Sequence, residues 1–590
     1  MSLAVRGPDA HGSWVSKGGG AAMVHRRLSI LDVDARSDQP MRSADGRYAL
    51  AFNGEIYNYA ELRAELERRG RTFSTTGDTE VLLQMYIEYG TAMLNRLRGM
   101  YAFAIWDEAE RKLVLARDPF GIKPLYYATG EGQFHFASQV RALCSIPGLD
   151  LRKEPAGHVG FLVWGSVPEP YTLYRGIRCL PSGSYLTVAN GRVASPKKFA
   201  SPAQEFACFN AAEMPKSEGE SYERLHDALK ESVRMHLIAD VPVSLFLSAG
   251  LDSGMVTALA AEAHGGLEGL TLGFDRMKGT LADETQTAAK VAKQYGVRHH
   301  ARYVEKKTFS AHRQRLLERM DQPTVDGVNT YFVSLLARER GYKVALSGLG
   351  GDELFGGYPS FQQVPALVRR LGAWTQFPRL GAGLRAIAAP VLSKMTSPKY
   401  ASLFEYGGSW GGAYLLRRGL FMPWELTGIL GAEMAREGWE ELASIREMNA
   451  LASGVGDHKM TGQADFLRIS ALEMHYYMRT QLLRDTDWAG MAHSLEIRVP
   501  LVDMVLLRQI AALRASPFPP KKPQIVKALQ TPLPEEVANR EKSGFVAPVR
   551  EWMQEEAEGA PRRGLRNWAL YIYRYFDGLH SGEVAPRYAA

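Results

Sequence analysis

The spacing of apolar positions changes about a third of the way along this 590-residue chain. Up to about residue 195, short apolar or alternating runs stop at Gly, Asp or Asn: 48–52, 101–106, 112–116 and 133–137. Runs of that length, bounded by turn residues, predict strands. Residues 59–69 and 79–89 carry helical spacing instead, the second with Asp78 as its expected N-cap. Strands and helices mixed in this way predict an α+β sandwich. Residues 196–217, rich in Ser, Pro, Lys and Ala, show little periodicity and read as a linker. From about Ser221 a helix over 222–238 leads into a strand over 241–247. Further strands over 270–274, 300–304 and 343–346 alternate with helices, the pattern of a parallel sheet. Beyond about Ser360 the pattern is nearly all helical. The boundaries expected are 1–195, a linker at 196–218, and 219–590.

Two predicted strands run straight into loops of small residues that carry an acid. One is Leu247-Ser248-Ala249-Gly250-Leu251-Asp252-Ser253; the other is Ser347-Gly348-Leu349-Gly350-Gly351-Asp352-Glu353. A helix pattern over 255–263 follows the first. Backbone N–H groups at a helix start suit a phosphate, and small residues let it come close. An aspartate beside phosphates suggests Mg²⁺. An ordinary strand-Gly-helix turn looks the same, so the first loop alone leaves both readings open.

Composition narrows the setting. Apolar residues make up 46% and charged residues 23%, ordinary for globular protein, and the net charge of +7 offers mild attraction for ATP or acidic substrates. Cys144, Cys179 and Cys208 are too scattered for a disulfide framework or zinc site, which fits a reducing compartment; the expected location is cytoplasmic. Residues 1–14 contain no signal-peptide core, and no apolar stretch is long enough to span a membrane, so no membrane partner is expected. The basic, aromatic stretch around 562–575 reads as a docked terminal helix, so no nucleic acid is expected either. His299 and His300 are neighbours on a strand and point to opposite faces, which argues against a shared metal.

Together the two loops resemble the pyrophosphatase-type ATP loop and partner loop of the asparagine synthetase family. The first half is similar to class II glutamine amidotransferases in five motifs. These are Arg6-Gly7-Pro8-Asp9, residues 27–32 (Arg-Leu-Ser-Ile-Leu-Asp), 52–58 (Phe-Asn-Gly-Glu-Ile-Tyr-Asn), 76–80 (Thr-Gly-Asp-Thr-Glu) and 117–126, beginning Arg117-Asp118-Pro119-Phe120-Gly121. The resemblance implies an N-terminal Ntn-type αββα sandwich, truncated at its start. It further implies a C-terminal parallel-sheet α/β ATP-pyrophosphatase domain with a helical extension. By the same resemblance, Arg27 and Asp78 hold the α-carboxylate and α-amino group of glutamine. Asn53 and Gly54 stabilise the oxyanion, and Glu55 with the backbone near Ile30 and Leu31 completes the pocket. Such glutaminases use an N-terminal cysteine. This chain begins Met1-Ser2-Leu3, and Ser2 lies too close to Arg6 to be its positional equivalent. The expectation is either a start placed too late or a silent glutaminase, so that the chain as written uses ammonium rather than glutamine.

In the second half the resemblance sets Leu247 and Leu272 beside adenosine with Ser347 and Gly348. Ser248, Gly250 and Ser253 face the phosphates, and Asp252 and Asp352 organise Mg²⁺. Lys542, in Arg540-Glu541-Lys542-Ser543-Gly544-Phe545, carries charge against the adenylation transition state. Residues 483–503 resemble the family's long helical motif. The implied reaction joins a carboxylate to the α-phosphorus of ATP, after which ammonia displaces AMP. L-Aspartate is the default acceptor. A tailoring enzyme for a sugar or peptide carboxylate and a silent scaffold relative are the rivals, and a homodimer is an allowed assembly. The chain departs from the family at Ala249 (a glycine there), Gly254 (a common serine), and Gln139 and Gln322 (often glutamate). At Leu349 the family usually carries an acid; another acid, for instance Asp326 or Glu353, is expected to replace it.

Overall fold

The structure is a computed structural model describing residues 3–280, 282–455, 461–540, 547–554 and 564–581. Its first half contains twelve strands: β1 (Ala10–Val15), β2 (Ala22–Arg27), β3 (Met41–Arg42), β4 (Tyr48–Ile56), β5 (Gly99–Asp107), β6 (Lys112–Arg117), β7 (Tyr126–Gly130), β8 (Gln133–Ala137), β9 (Ile177–Cys179), β10 (Ser184–Ala189), β11 (Arg192–Val193) and β12 (Lys197–Lys198). The main sheet runs β11-β10-β6-β5-β4-β3, with β12 also on β10; β1-β2 and β8-β7-β9 form two small sheets.

Period-two alternation explains the layers. Leu50, Phe52, Phe103 and Ile105 point to one side, where they bury Leu62 and Leu66 of α1 (Tyr59–Arg68) and Leu82 and Met85 of α2 (Asp78–Tyr89). Ala102, Ala104, Trp106 and Leu115 point to the other and meet Met23 of β2 and Tyr127 of β7. Tyr126 and Ala128, one residue out of phase with Tyr127, pack instead on Val140 and Leu143 of α3 (Val140–Cys144). The central strands β5 and β6 are thus buried on both faces, and the layers read αββα. Every large side chain so enclosed contributes roughly 1.5–3 kcal/mol.

Helix α4 (Pro155–Trp164) lies between β8 and β9; after β12 the chain continues through α5 (Pro202–Ala207) and α6 (Glu218–His236) to a five-stranded sheet. Its strands are β13 (Val243–Phe246), β14 (Glu268–Phe274), β15 (Arg298–Val304), β16 (Val344–Leu346) and β17 (Glu496–Arg498). The order is β15-β14-β13-β16-β17, and every pair is parallel. The chain starts in the middle, at β13, builds outward through β14 and β15, then crosses to the other side for β16 and β17. The switch point therefore lies between β13 and β16, where open α/β sheets place their ligands. Leu245 pairs with Leu346, so both small-residue loops leave the sheet at the same level. Helices α7 (Leu251–Ala263), α8 (Thr285–Gln294), α9 (Lys306–Arg319), α10 (Val328–Glu339) and α11 (Gly351–Phe355) follow the strands, and α12 (Ser360–Leu371) and α13 (Pro378–Met395) open the helical extension.

Two expectations change. Asp78 is the first residue of α2 rather than its cap; Gly77 is the cap, and the Asp78 carboxylate accepts from Ile56 N–H at 2.8 Å. The linker residues 196–217 carry local structure: β12 pairs with β10, and Phe206 of α5 is in the core. The 483–503 motif is only partly helical. The helix Arg484–Met491 ends before β17, which completes the sheet.

Candidate active sites

The two loops meet in one cavity of about 1070 Å³. Leu247, Ser248, Gly250, Asp252, Ser253, Leu272, Ser347, Gly348 and Asp352 all line it. Close approach dictates the glycines: a Cβ on Gly348 would lie 2.6 Å from Ser253 N, and one on Gly351 2.1 Å from Asp252 Oδ1. Ser248 and Ser253 share a hydroxyl hydrogen bond of 2.8 Å, which shapes the first turn. Ala249 has ordinary negative φ, so its methyl brings no strain; its N–H donates to Glu284 at 3.3 Å.

Asp252 and Asp352 are joined by a residue passed over in the sequence, Lys522. Its Nζ pairs with Asp252 Oδ1 and lies 3.2 Å from Asp352 Oδ1. An ammonium thus stands where the two carboxylates converge. Two carboxylates are what Mg²⁺ takes from a protein when phosphates and water supply the other ligands, and among the described residues no cluster of three or more acids, His or Cys could hold a metal alone. The donor set fits a nucleotide-bound Mg²⁺. Lys542 lies outside the described residues; Arg540, just before it, lines the cavity 3.6 Å from Glu284.

The cavity extends past the loops into an aromatic chamber built by Trp164, Tyr358, Tyr414, Tyr476 and Tyr477. The last two lie in a π-wound segment, Glu473–Leu483, whose wider turns also bring Gln481 to the wall. Arg418 lines this chamber but is committed. Its guanidinium pairs with the buried Glu473 at 2.8 and 3.2 Å and lies 3.8 Å from the Tyr477 ring centre and 4.4 Å from that of Tyr358. Leu349 and Asp326 both reach the cavity, and burial raises the Asp326 carboxyl. Glu353 does not reach it. It is buried behind Tyr358, whose hydroxyl donates to it at 2.9 Å, and burial pushes it up to about 7.

In the first half, Asn53 Nδ2 is a buried amide donor without a partner. Gly54 has φ 141°, and a Cβ there would sit 2.0 Å from Met100 O, so only glycine fits. Arg27 ends β2 with its guanidinium donating to Asp38 at 3.0 Å, to the carbonyls of Asp34 (3.0 Å) and Leu31 (3.2 Å), and to that of Asp32. Ile30 and Leu31 are buried beside it. Burial pushes Asp78 up to about 6.

Glu55 also reaches across to the other half of the molecule. Its Oε1 lies 3.4 Å from the fully buried Arg498 of β17, in the other half of the molecule. Burial, then the neighbouring Asp78, raise Glu55 well above the usual range, and Arg498 opposes both. Arg498 also donates to Glu496 at 2.9 Å, and Glu496 accepts from Lys123 at 3.2 Å. The carbonyl of Arg498 accepts from Ser347 N–H at 2.8 Å. One buried path therefore runs from Glu55 to the second nucleotide loop. Around it, Arg6 grips Asp487 at 2.7 and 2.9 Å, Arg98 pairs with Asp503 at 2.8 Å, and Lys343 with Asp9 at 2.8 Å. Several residues of the 483–503 motif thus dock the two halves.

A parallel sheet with phosphate-suited turns at its switch point is thus joined through buried ion pairs to an αββα sandwich. Residues 1–200 match the glutamine amidotransferase domain family, and residues 224–589 match asparagine synthase. A protein of Mycobacterium tuberculosis (strain ATCC 25618 / H37Rv) is 34% identical over 619 aligned positions, covering 99% of this chain and 87% of that one. Asparagine synthetase [glutamine-hydrolyzing] 1 of Bacillus subtilis (strain 168) is 32% identical over 562 positions, 93% of this chain and 83% of the relative. Amidase chry2 of Gibberella zeae is 30% identical over 388 positions, 61% and 54% of the two chains. The chain belongs to the glutamine-hydrolysing asparagine synthetase family. Its chemistry is ATP-dependent amidation with glutamine as nitrogen donor.

Proposed function

We propose that the cavity binds MgATP with its α-phosphorus toward the aromatic chamber, where an acceptor carboxylate attacks it. Leu247 and Leu272 flank the adenosine. Ser248, Gly250 and Ser253 receive the phosphates, with Ser347 and Gly348 alongside. Asp252 and Asp352 hold the Mg²⁺, whose charge eases departure of pyrophosphate. Lys522 supplies a positive charge beside both aspartates, and Lys542 supplies another against the adenylation transition state. Ammonia then attacks the acyl-adenylate and AMP leaves. Asp326, an acid that lines the cavity, takes the proton that Leu349 cannot. In the first half, Asn53 and Gly54 would hold the oxyanion of a glutaminase, and Arg27 and Asp78 its glutamine. The observation that carries this reading is the convergence of both loops, both aspartates and Lys522 on one cavity.

For the acceptor, L-aspartate is the family default. One observation favours a larger carboxylate, on a sugar or peptide. The cavity is at the upper end of the ~300–1,000 Å³ usual for small-molecule sites, its inner wall is aromatic, and Arg418 is neutralised by Glu473 rather than free for a second carboxylate. Pyrophosphate release with ammonium, screened over aspartate, uronic acids and peptide carboxylates, separates the two. Turnover with aspartate alone rejects the larger acceptor, and no turnover with any carboxylate makes the chain a silent relative.

A further inference from the structure

Between Glu353 and Glu405 the chain contains no acidic residue but six basic ones: Arg369, Arg370, Arg379, Arg385, Lys394 and Lys399. Within this stretch lies α13, and its amphipathicity is inverted. Leu380, Leu384, Ile387, Val391 and Met395 fall within about 80° of one another around the axis at 3.6 residues per turn. A stripe of that kind normally faces a core. Here its residues are 60, 41, 78, 60 and 72% exposed, in that order. The helix rests on the protein by its small-residue side instead. Gly381 is buried there, and a Cβ on it would lie 2.7 Å from Glu405 Cα. Arg385 on that side pairs with Glu405 at 2.6 Å.

Aromatic residues frame the stripe. Phe377, at its amino end, is 53% exposed and Tyr400, past its carboxyl end, 52%. Trp374 and Phe404 pack together with ring centres 4.7 Å apart. Arg370 and Arg379 are exposed close by. Arg369 is also exposed but is shared with Asp465, at 2.7 Å.

We propose that α13 is an interfacial anchor that lays the enzyme on an anionic bilayer surface. An exposed apolar stripe on a helix with a basic flank and aromatic edges is the physical form of an in-plane membrane helix. Such a helix needs no spanning length, and among the described residues none is long and apolar enough to cross a membrane. The charge decides between lipid and a second copy of this chain. A twofold contact through the stripe would bring the basic flank against its own image, whereas an anionic leaflet complements it. An in-plane helix of this kind has no spanning stretch, so the lack of one in the sequence does not bear on it.

The test uses the full chain and vesicles of phosphatidylcholine with or without phosphatidylglycerol, read by flotation. Binding to the anionic vesicles should exceed binding to the neutral ones by about tenfold and fall with added salt. The double substitution Ile387→Glu/Val391→Glu should abolish binding while leaving ammonium-dependent pyrophosphate release unchanged. Equal, negligible binding to both vesicle types, or undiminished binding of the double variant, overturns the proposal. So does a lipid-free dimer, by light scattering, that the same substitutions convert to monomer, because the stripe is then a protein interface.

Discussion

The two halves of the molecule use their motif residues differently. In the second half, motif residues at the carboxyl ends of β13 and β16 face one cavity, and their roles follow from neighbours a few residues away. In the first half, several motif residues turn to the other half instead: Arg6 to Asp487, Lys123 to Glu496 and Glu55 to Arg498. A motif read along one chain segment can therefore mark a site or a seam. What distinguishes them is where the partner charge sits, and that partner can be hundreds of residues away.

The comparison can be broken at its strongest point first. Asp252→Asn should lower pyrophosphate release by about 10³-fold or more, as expected for loss of an electrostatic group acting on the transition state. Circular dichroism should be unchanged, because the residue serves the cavity. Near-normal turnover would remove the distinction between site and seam in the second half.

Arg498→Met tests the seam. It strands Glu55 and Glu496 in a buried place, so stability should fall by about 3 kcal/mol, measured by urea unfolding. Ammonium-driven pyrophosphate release should fall as well, because the path from Glu55 to Ser347 is cut. Unchanged release by the folded variant would make the pair structural only.

Lys522→Ala should reduce pyrophosphate release by about 10²-fold, the usual loss for one charged group at a developing anion. Lys522→Arg should recover part of it.

The smallest effect concerns pH. Asp78, raised to about 6 by burial, takes up a proton as pH falls and then cannot pair with an ammonium group. Glutamine affinity should drop by about tenfold per pH unit below 6. The linked stability has the opposite sense. The folded state holds this proton more tightly than the unfolded state, so the contribution is fully present below about pH 4 and is lost as pH rises through about 6. Asp78→Asn should consequently compare more favourably with wild type at pH 7 than at pH 4 in thermal unfolding.

Much of this was legible in the chain. Strands with strong alternation appear where expected, and the two loops announced themselves by small residues after apolar runs. Other parts were not, for identifiable reasons. Strand β17 is three residues long and reads Glu-Ile-Arg; its charges are tolerated only because Lys123, Glu55 and backbone carbonyls of residues 236 and 238 surround them. Lys522 sits in a Lys-Lys-Pro stretch with no periodicity, and only the fold brings it to Asp252. The helical spacing of α13 points to a core, yet the structure turns the stripe outward. In each case the deciding partner is distant in sequence or absent from it.

The central claim is that the turns after β13 and β16 hold MgATP for attack at its α-phosphorus. Phosphorus-31 NMR of ATP turnover with ammonium and an active acceptor reads this directly. The account predicts AMP and pyrophosphate in equal amounts, both lost in Asp252→Asn. Formation of ADP and phosphate, or turnover indifferent to that substitution, would contradict it.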